Sequence, residues 1–259
     1  MEIAASHGVG LIVPTRDEEL PAFARRKSMF SDAGVHVMAA GERAIGICQD
    51  KRAFSEWCIE RGFQVPAIVD PSSPHLSFPA FVRNRVGKAG RAAFRADGRE
   101  ELECLLRSLP DPIVQEYVDA DEYTVDVFAD FDGRVLSATP RLRISTFGGE
   151  SFVGKTVKHP QIMQEAARLV ESLGLVGFAT VQCFWHEQAV KFIELNPRIG
   201  GGAHLSIAAG ADTPRMALRA AAGKPAPPSA DGFQEGLVML RHTEDVFIAE
   251  DDLHARFRK

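Results

Sequence analysis

Two oxygen-bearing side chains, those of Glu194 and Asn196, stand two residues apart in the run from Val190 to Arg198. The run is typical of a β-strand, and residues two apart on a strand share a face. We therefore expect Glu194 and Asn196 to point the same way, with Ile193 and Leu195 directed into the core. One strand face would then offer a carboxylate and an amide oxygen together.

A second strand pattern spans residues 177–186, and residues 187–189 separate it from the first. If those three residues form a hairpin loop, Gln182 lies opposite Glu194 on the paired strand. Three oxygen donors without a thiol or an imidazole suit Mg²⁺, which keeps several waters and is usually completed by substrate phosphates. The same spacing fits the polar face of an ordinary hairpin equally well.

The same residues resemble the metal-binding end of ATP-grasp enzymes, in particular the large subunit of carbamoyl-phosphate synthase and carboxylate–amine ligases. The resemblance covers roughly residues 9 to 223, and its strength lies in an ordered set of segments. These are Asp50–Phe54 (opening of the ATP-binding region), Gly62–Pro66 (entry to the lid), Phe78–Arg83 (phosphate-contacting cation), Gln115–Val118 (adenine hinge), Glu122–Asp126 (ribose clamp), and Gln182 with Phe192–Gly202 (metal).

The resemblance implies ATP and Mg²⁺ as cofactors, with Mn²⁺ as the alternative ion. It implies metal ligation by Gln182, Glu194 and Asn196. It assigns Arg198, together with Arg141 and Arg143, to the charge on phosphoryl and acyl oxygens. Nucleotide binding falls to Lys51, Arg83, Gly87, Lys88, Gly90, Gln115, Glu116, Tyr117, Val118 and Glu122.

A glycine-containing segment, Gly87-Lys88-Ala89-Gly90-Arg91, lies between two predicted lid strands. Its glycines allow the backbone to approach phosphate oxygens, and Lys88 and Arg91 add positive charge. An ordinary basic hairpin tip has the same composition, so the segment alone decides nothing. The same holds for His204, which is either a polar loop residue or a neighbour of the transferred phosphoryl group.

The activity implied by the resemblance is that of an ATP-dependent ligase. Such an enzyme activates a small-molecule carboxylate as an acyl phosphate for attack by an amine and releases ADP and phosphate. Two alternatives stay open: a nucleotide-binding subunit or regulatory module that does not ligate alone, and a carbamoyl-phosphate-synthase-like enzyme that forms carboxyphosphate. The presence of Gln182, Glu194, Asn196 and Arg198 favours an enzyme over a binding module.

The elements that must hold these residues begin with alternating strands and helices. Leu11–Val13 predicts a short strand, Thr15 to Gly34 a helix capped by Thr15, and Val35–Met38 a second, parallel strand. Helices are expected at Glu42–Gln49 and Lys51–Arg61. Compared with the enzymes it resembles, this region corresponds to half of a Rossmann-like domain. An uncovered strand edge invites association, so we expect a homodimer or a separately encoded partner.

We therefore predict an α/β and α+β protein in which a truncated Rossmann-like part precedes a two-subdomain ATP-grasp fold. Residues 1–66 form the partial pre-ATP-grasp region and residues 67–118 the lid subdomain. Residues 119–240 form the metal and substrate subdomain, built of long hairpins such as Tyr123–Ala129 with Val135–Ile144. Residues 241–259 are expected to be a charged tail that is frayed or depends on a partner.

Composition excludes other classes of function. The 259 residues are 45% hydrophobic and 25% charged, as in ordinary globular domains. A net charge of −5 and dispersed basic residues argue against a nucleic-acid partner. No apolar run approaches the ~20 residues that a membrane span requires, and no secretory signal is visible. The four cysteines form no CxxC pair, which favours reduced thiols and a cytoplasmic location.

Overall fold

The computed structural model describes residues 2–87, 93–224 and 232–250. Its amino-terminal part contains a two-stranded parallel sheet in which Leu11 pairs with His36 and Ile12 with Val37. The predicted parallel pairing is therefore confirmed. The elements in this part are α1 (Glu2–Ser6), β1 (Leu11–Ile12), α2 (Leu20–Arg25), α3 (Lys27–Asp32), β2 (His36–Val37), α4 (Glu42–Gln49) and α5 (Lys51–Glu60).

The predicted single helix from Thr15 to Gly34 is wrong. The chain forms a turn over residues 16–19, and α2 begins only at Leu20, with Pro21 in its first turn. Proline is accommodated in a first helical turn but not in a helix interior, because it lacks an N–H and its ring clashes with the preceding turn. The helix therefore begins after the turn at residues 16–19 and not at Thr15.

The start of α5 is fixed by Asp50. Its side chain accepts hydrogen bonds from the backbone N–H groups of Arg52 and Ala53, at 3.0 and 3.1 Å, which satisfies two donors that a helix leaves unpaired. The same carboxylate pairs with Arg85, at 2.5 Å from its Nη2. Lys51 therefore begins the helix at a position tied to the segment that follows β3 (Ala80–Asn84).

The lid region is a three-stranded antiparallel sheet in the order β4-β3-β5, backed by α6. A small core of its own holds the two layers together, with Val82, Leu102 and Val114 nearly inaccessible to solvent. The sequence predicts strands at Ala80–Arg83, Ala92–Arg95 and Pro112–Tyr117 and a helix at Arg99–Ser108, and the observed boundaries agree within about a residue. Besides β3, the elements are β4 (Ala93–Ala96), α6 (Arg99–Ser108) and β5 (Pro112–Glu116).

The remaining described residues form a six-stranded antiparallel sheet in the order β10-β9-β6-β7-β8-β11. Helix α7 packs against the central strands β6 and β7 through an apolar stripe of Ile162, Ala166 and Leu169. Strand β8 was not predicted. The elements are β6 (Asp121–Ala129), β7 (Val135–Phe147), β8 (Glu150–Thr156), α7 (Pro160–Ser172), β9 (Gly177–His186), β10 (Ala189–Asn196), α8 (Ala203–Ala208), α9 (Thr213–Ala221) and β11 (Val238–Leu240).

The turn between β9 and β10 differs from the predicted three-residue loop. Ala189 pairs directly with His186, so the loop consists of Glu187 and Gln188 alone. Both loop residues have positive φ angles, 50° and 61°. Two consecutive residues with positive φ are the signature of the type I′ turn, whose twist matches that of the flanking strands. The prediction of a three-residue loop is therefore wrong.

The predicted pairing of Gln182 with Glu194 is nevertheless confirmed, because β10 contains a bulge. The register shifts between Phe192 and Glu194, which leaves Ile193 as an extra residue on β10. Leu195 lies in the core as expected, but Ile193 does not: it lines the cavity described below. One residue fewer in the turn and one more in the strand return Glu194 to the predicted partner.

No helix among residues 2–87, 93–224 and 232–250 is long and apolar enough to cross a membrane. The expectation of a homodimer or a separately encoded partner stays a prediction.

Candidate active site

A cavity of about 1050 Å³ lies between the lid sheet and the polar face of the large sheet. Its size is at the upper end of the range for small-molecule sites. Apart from Lys88 and Gly90, which lie outside the described residues, every residue predicted to bind the metal or the nucleotide or to stabilise charge lines it. Those residues are Lys51, Arg83, Gly87, Gln115, Glu116, Tyr117, Val118, Glu122, Arg141, Arg143, Gln182, Glu194, Asn196 and Arg198.

Strand register explains why the polar side chains of the large sheet meet. Glu194 on β10 pairs with Gln182 on β9, Gln182 with Thr124 on β6, and Thr124 with Arg141 on β7. Directly paired residues in a sheet project on the same side, so these four form one row across four strands. The next row toward the carboxyl end of β10 starts at Asn196. The floor of the cavity is thus a continuous polar surface.

The three proposed metal ligands lie at the β10 edge of this floor. Asn196 Nδ2 donates to Glu194 Oε1 over 3.1 Å, and Gln182 is the cross-strand neighbour of Glu194. Within the described residues, no group of three or more His, Cys, Asp or Glu side chains could hold a metal ion. A cation at this point would therefore depend on one carboxylate, two amides and oxygens from outside the protein, a donor set that fits Mg²⁺.

Arg83 extends from β3 to the edge of the floor formed by β10, where Glu194 lies. It is only 4% exposed, its Nη2 donates to the carbonyl of Ile193 over 2.9 Å, and its Nη1 lies 3.9 Å from Glu194 Oε2. The bulge at Ile193 releases that carbonyl from regular strand pairing. Burial lowers the pKa of Arg83, while the charges of Glu194 and Glu122 oppose this shift. The guanidinium therefore connects β3 to the β10 edge of the cavity floor.

Lys51 provides the second cation on this side of the cavity. Its Nζ donates to the carbonyl of Gly87 over 3.0 Å, at the beginning of the predicted glycine loop. Burial lowers the pKa of Lys51, and the nearby Glu194 carboxylate acts in the opposite direction. Lys51 and Arg83 thus face the Glu194 carboxylate from the helical and lid sides, and an oxyanion between them would be surrounded by positive charge.

The predicted adenine hinge joins β5 to β6. Gln115 Nε2 donates to the carbonyl of Pro66 over 3.1 Å, and Glu116 accepts from Lys191 Nζ over 2.8 Å, which anchors the end of β5. Residues 117–120 lie outside both strands. Their backbone groups are therefore free of the sheet ladder, as recognition of a base edge by the main chain requires.

Glu122 stands at the beginning of β6 beside Arg143. The two groups form an ion pair at 3.0 Å between Oε1 and Nε, although the N–H bond is not directed at the carboxylate. Burial is the main cause of a raised pKa at Glu122, and the charge of Arg143 counteracts it. Arg143 also donates through Nη2 to the carbonyl of Gly149 over 3.0 Å. This pair links the hinge to the tip between β7 and β8.

Arg141 lies beneath the segment that follows β10. Its Nε and Nη2 bind the two oxygens of Asp126, at 2.6 and 3.1 Å, and Ser206 Oγ donates to the same carboxylate at 2.5 Å. Arg141 is 2% exposed and its Nη1 has no hydrogen-bond partner in the described residues. A Cβ on Gly202 would lie 2.6 Å from that Nη1. Arg141 is therefore a part of the cavity floor that is neutralised by Asp126 and closely approached by the backbone at Gly202.

Arg198 projects from the loop after β10. Its Nε and Nη2 bind Asp17 Oδ1 and Oδ2 at 2.8 and 3.0 Å, and its Nη1 donates to the carbonyl of Ile199 over 3.1 Å. Asp17 belongs to the turn before α2. This arrangement brings the amino-terminal part of the chain to the end of the cavity beside Asn196.

Several cavity residues were missed by the sequence analysis. Thr15 contributes from the turn after β1, and Arg241 lies in the segment predicted to be a frayed tail. Arg241 donates to Glu150 Oε2 at 2.5 Å and to the carbonyl of Gly201 at 2.8 Å. Neither residue stands in a recognisable motif, so the sequence carried no signal for them. His204, in contrast, is exposed on α8 and is absent from the cavity lining.

Comparisons with known proteins place this geometry in a family. A family model described as ATP-grasp in the biosynthetic pathway with Ter operon matches residues 108–244, more than half of the chain. The carbamoyl phosphate synthase large chain of Rubrobacter xylanophilus is 26% identical over 235 residues, which cover 78% of this chain and 22% of that relative. The chain thus spans about a fifth of the length of this relative.

Two solved structures are similar in fold. A biotin carboxylase–βγ-ATP complex from Campylobacter jejuni matches with a TM-score of 0.72 at 15% identity, covering 90% of this chain and 59% of that one. The L-amino acid ligase from Bacillus licheniformis matches with a TM-score of 0.63 at 18% identity, covering 80% and 53%. At these identities the likeness is one of fold. The resemblance identified in the sequence, and the fold class it implied, are confirmed.

Proposed function

This chain belongs to the ATP-grasp family, and from that premise we propose that it is an ATP-dependent carboxylate–amine ligase. The observation that carries the proposal is the meeting of Glu194, Arg83 and Lys51 at one edge of a cavity large enough for a nucleotide and a second substrate. A carboxylate faced by two cations suits a metal–phosphate group.

The donor set fits Mg²⁺. Gln182, Glu194 and Asn196 would hold the ion, and their single negative charge leaves room for phosphate oxygens as further ligands. When bound, the ion supplies neutralisation of the charge that develops on the transferred phosphoryl group. The hydrogen bond that the Asn196 side-chain amide donates to Glu194 orients the carboxylate before any ligand arrives.

The proposed reaction has two steps. A carboxylate oxygen of the acid attacks the γ-phosphorus of ATP, the bond to the bridging oxygen breaks, and ADP leaves. The amine nitrogen then attacks the acyl carbon and loses a proton to solvent, and inorganic phosphate leaves with the former carboxylate oxygen. The products are an amide, ADP and phosphate.

Each set of protein groups has a role in these steps. Lys51 and Arg83 bind the nonbridging phosphate oxygens, and Arg198 stabilises negative charge at the transferred group. The hinge at Gln115–Val118 holds the base, with Glu122 at the ribose. Arg141 and Arg143 are assigned to the support of this surface, since both are largely covered by their neighbours. Gly87, which lines the cavity, is assigned to the phosphates in this proposal.

A phosphate-release screen tests the proposed function. Purified protein is incubated with MgATP and pools of small carboxylic acids, with and without pools of amines, and products are identified by mass spectrometry. The proposal expects phosphate release that requires an acid and a new amide that requires both substrates. Phosphate release that is independent of every acid and amine, or no turnover with any pool, would contradict it.

The hinge also leads to a prediction about nucleotide preference. An adenine held by backbone groups of residues 117–120 presents a donor and acceptor pattern that guanine lacks, so MgATP is expected to stabilise the fold more than MgGTP. At a concentration 100 times the dissociation constant, a ligand bound only by the folded state stabilises by about 2.7 kcal/mol. Thermal shift measures both nucleotides side by side, and equal shifts would remove the adenine assignment.

A further inference from the structure

We propose that Asp17 is a positioning residue, which holds the guanidinium of Arg198 in place for the substrate. The turn before α2 therefore contributes to the site, and this inference rests on the proposed function. The carboxylate and the guanidinium meet through two parallel hydrogen bonds, of 2.8 and 3.0 Å, between residues 181 positions apart. A bidentate pair of this kind fixes both the location and the plane of a guanidinium.

Asp17 acts through Arg198. Thr15 and Arg198 line the cavity, whereas Asp17 does not and is 8% exposed. The hydrogen bonds to Arg198 therefore link its carboxylate to the cavity. Arg198 has five N–H donors in a rigid fork, and the pair with Asp17 together with the bond to the Ile199 carbonyl leaves part of that fork for a ligand.

The backbone of Asp17 is held in turn by the element that carries Lys51. Gln49 Nε2, at the last residue of α4, donates to the Asp17 carbonyl over 2.7 Å. The next residue, Asp50, caps α5, in which Lys51 is the first residue. The charge of Asp17 also contributes to the pKa of Lys51, in the raising direction. The same short turn thus contacts Arg198 directly and is hydrogen-bonded to the end of α4, next to Lys51.

Charge and position make opposite predictions for the removal of this carboxylate. Asp17→Asn leaves Arg198 less neutralised, so a role in charge alone would tighten the binding of an anionic substrate and keep turnover. A positioning role predicts the reverse, because a side chain with several rotatable bonds is released from one geometry. Misplacement of a substrate-contacting group by about 1 Å costs on the order of 100-fold in rate.

The experiment compares Asp17→Asn, Arg198→Ala and the double variant, with Asp32→Asn on the exposed face of α3 as a control. We expect kcat for acid-dependent phosphate release to fall about 10- to 100-fold in Asp17→Asn, with an unchanged KM for MgATP. The double variant is expected to be about as slow as Arg198→Ala, because the proposed effect of Asp17 on turnover passes through the arginine. Asp17→Glu, which keeps the charge, is expected to recover part of the rate.

The outcomes separate this inference from the proposed function. If the wild-type protein turns over and Asp17→Asn matches it, or if the two substitutions act additively, the positioning role is overturned and the ligase assignment stands. A lowered melting temperature of Asp17→Asn without ligand, together with loss of the MgATP-induced shift, would assign the pair to folding and also overturn the role. If the wild-type protein releases no phosphate with any acid, the proposed function falls and this inference falls with it.

Discussion

Glu194→Gln is expected to lower Mg²⁺-dependent phosphate release by roughly 100- to 1000-fold, the range given by several kcal/mol of lost charge stabilisation. The substitution keeps the size of the side chain and its hydrogen bond with Asn196. It removes the only negative charge among the three proposed ligands. The same change also takes the counter-charge from Arg83, 3.9 Å away. Turnover is measured by phosphate release across a range of Mg²⁺ concentrations.

A matched control lies in the same hairpin. Glu187→Gln makes the identical chemical change at an exposed residue of the β9–β10 turn, outside the cavity lining. That variant is expected to retain wild-type turnover and metal dependence. The melting temperature and circular dichroism of both variants report whether the fold persists. Wild-type turnover in Glu194→Gln, with an unchanged dependence on Mg²⁺, would remove the metal assignment.

Arg141→Met is expected to destabilise the protein by about 3–5 kcal/mol, because it leaves the Asp126 carboxylate buried without a counter-charge. The pair is almost wholly inaccessible, and Ser206 is then the remaining hydrogen-bonding neighbour of that carboxylate. Urea unfolding followed by fluorescence measures the change in the free energy of unfolding.

Two further variants distinguish the buried charge from other causes. Arg25→Met breaks an exposed ion pair with Glu42 at 3.3 Å and is expected to cost about 0–1 kcal/mol. Arg141→Met combined with Asp126→Leu removes both charges and is expected to recover most of the loss, since a buried pair replaced by apolar groups is often neutral. An equal loss in the single and the double variant would show that packing, not charge, explains the effect.

The sequence predicted the family, the fold class and many of the polar residues that line the cavity, because these depend on local patterns. Glu194 and Asn196 were predicted to share a face from strand periodicity alone, and they do. The segments of the resemblance occur in a fixed order along the chain. Each of these patterns is a short stretch of sequence that can be recognised without knowledge of the tertiary structure.

What the sequence did not predict depends on tertiary contacts. The pairing of Gln182 with Glu194 was expected for the wrong reason, since a two-residue turn and a bulge at Ile193 replace the three-residue loop. No local sequence pattern indicates that the turn will contain only two residues, or that the extra residue will form a bulge in the strand. The bond between Asp17 and Arg198 spans 181 residues and has no periodicity to reveal it.

The arginines show the same limit at the level of single side chains. The resemblance implied that Arg141 and Arg143 lie in the site, and both line the cavity. It did not predict that Arg141 would be neutralised by Asp126 and covered by Gly202. The neighbours of each arginine depend on how the loop after β10 packs. The strand pattern does not predict that packing.

The most direct test of the central claim, that this protein activates a carboxylate with ATP, is transfer of an oxygen isotope. An acid substrate found in the screen is labelled with ¹⁸O in its carboxylate, and the released phosphate is analysed by mass spectrometry. The account predicts that each phosphate carries one ¹⁸O and appears in equal amount with ADP and the amide. Unlabelled phosphate released alongside ADP would show attack by water on ATP, and would contradict carboxylate activation.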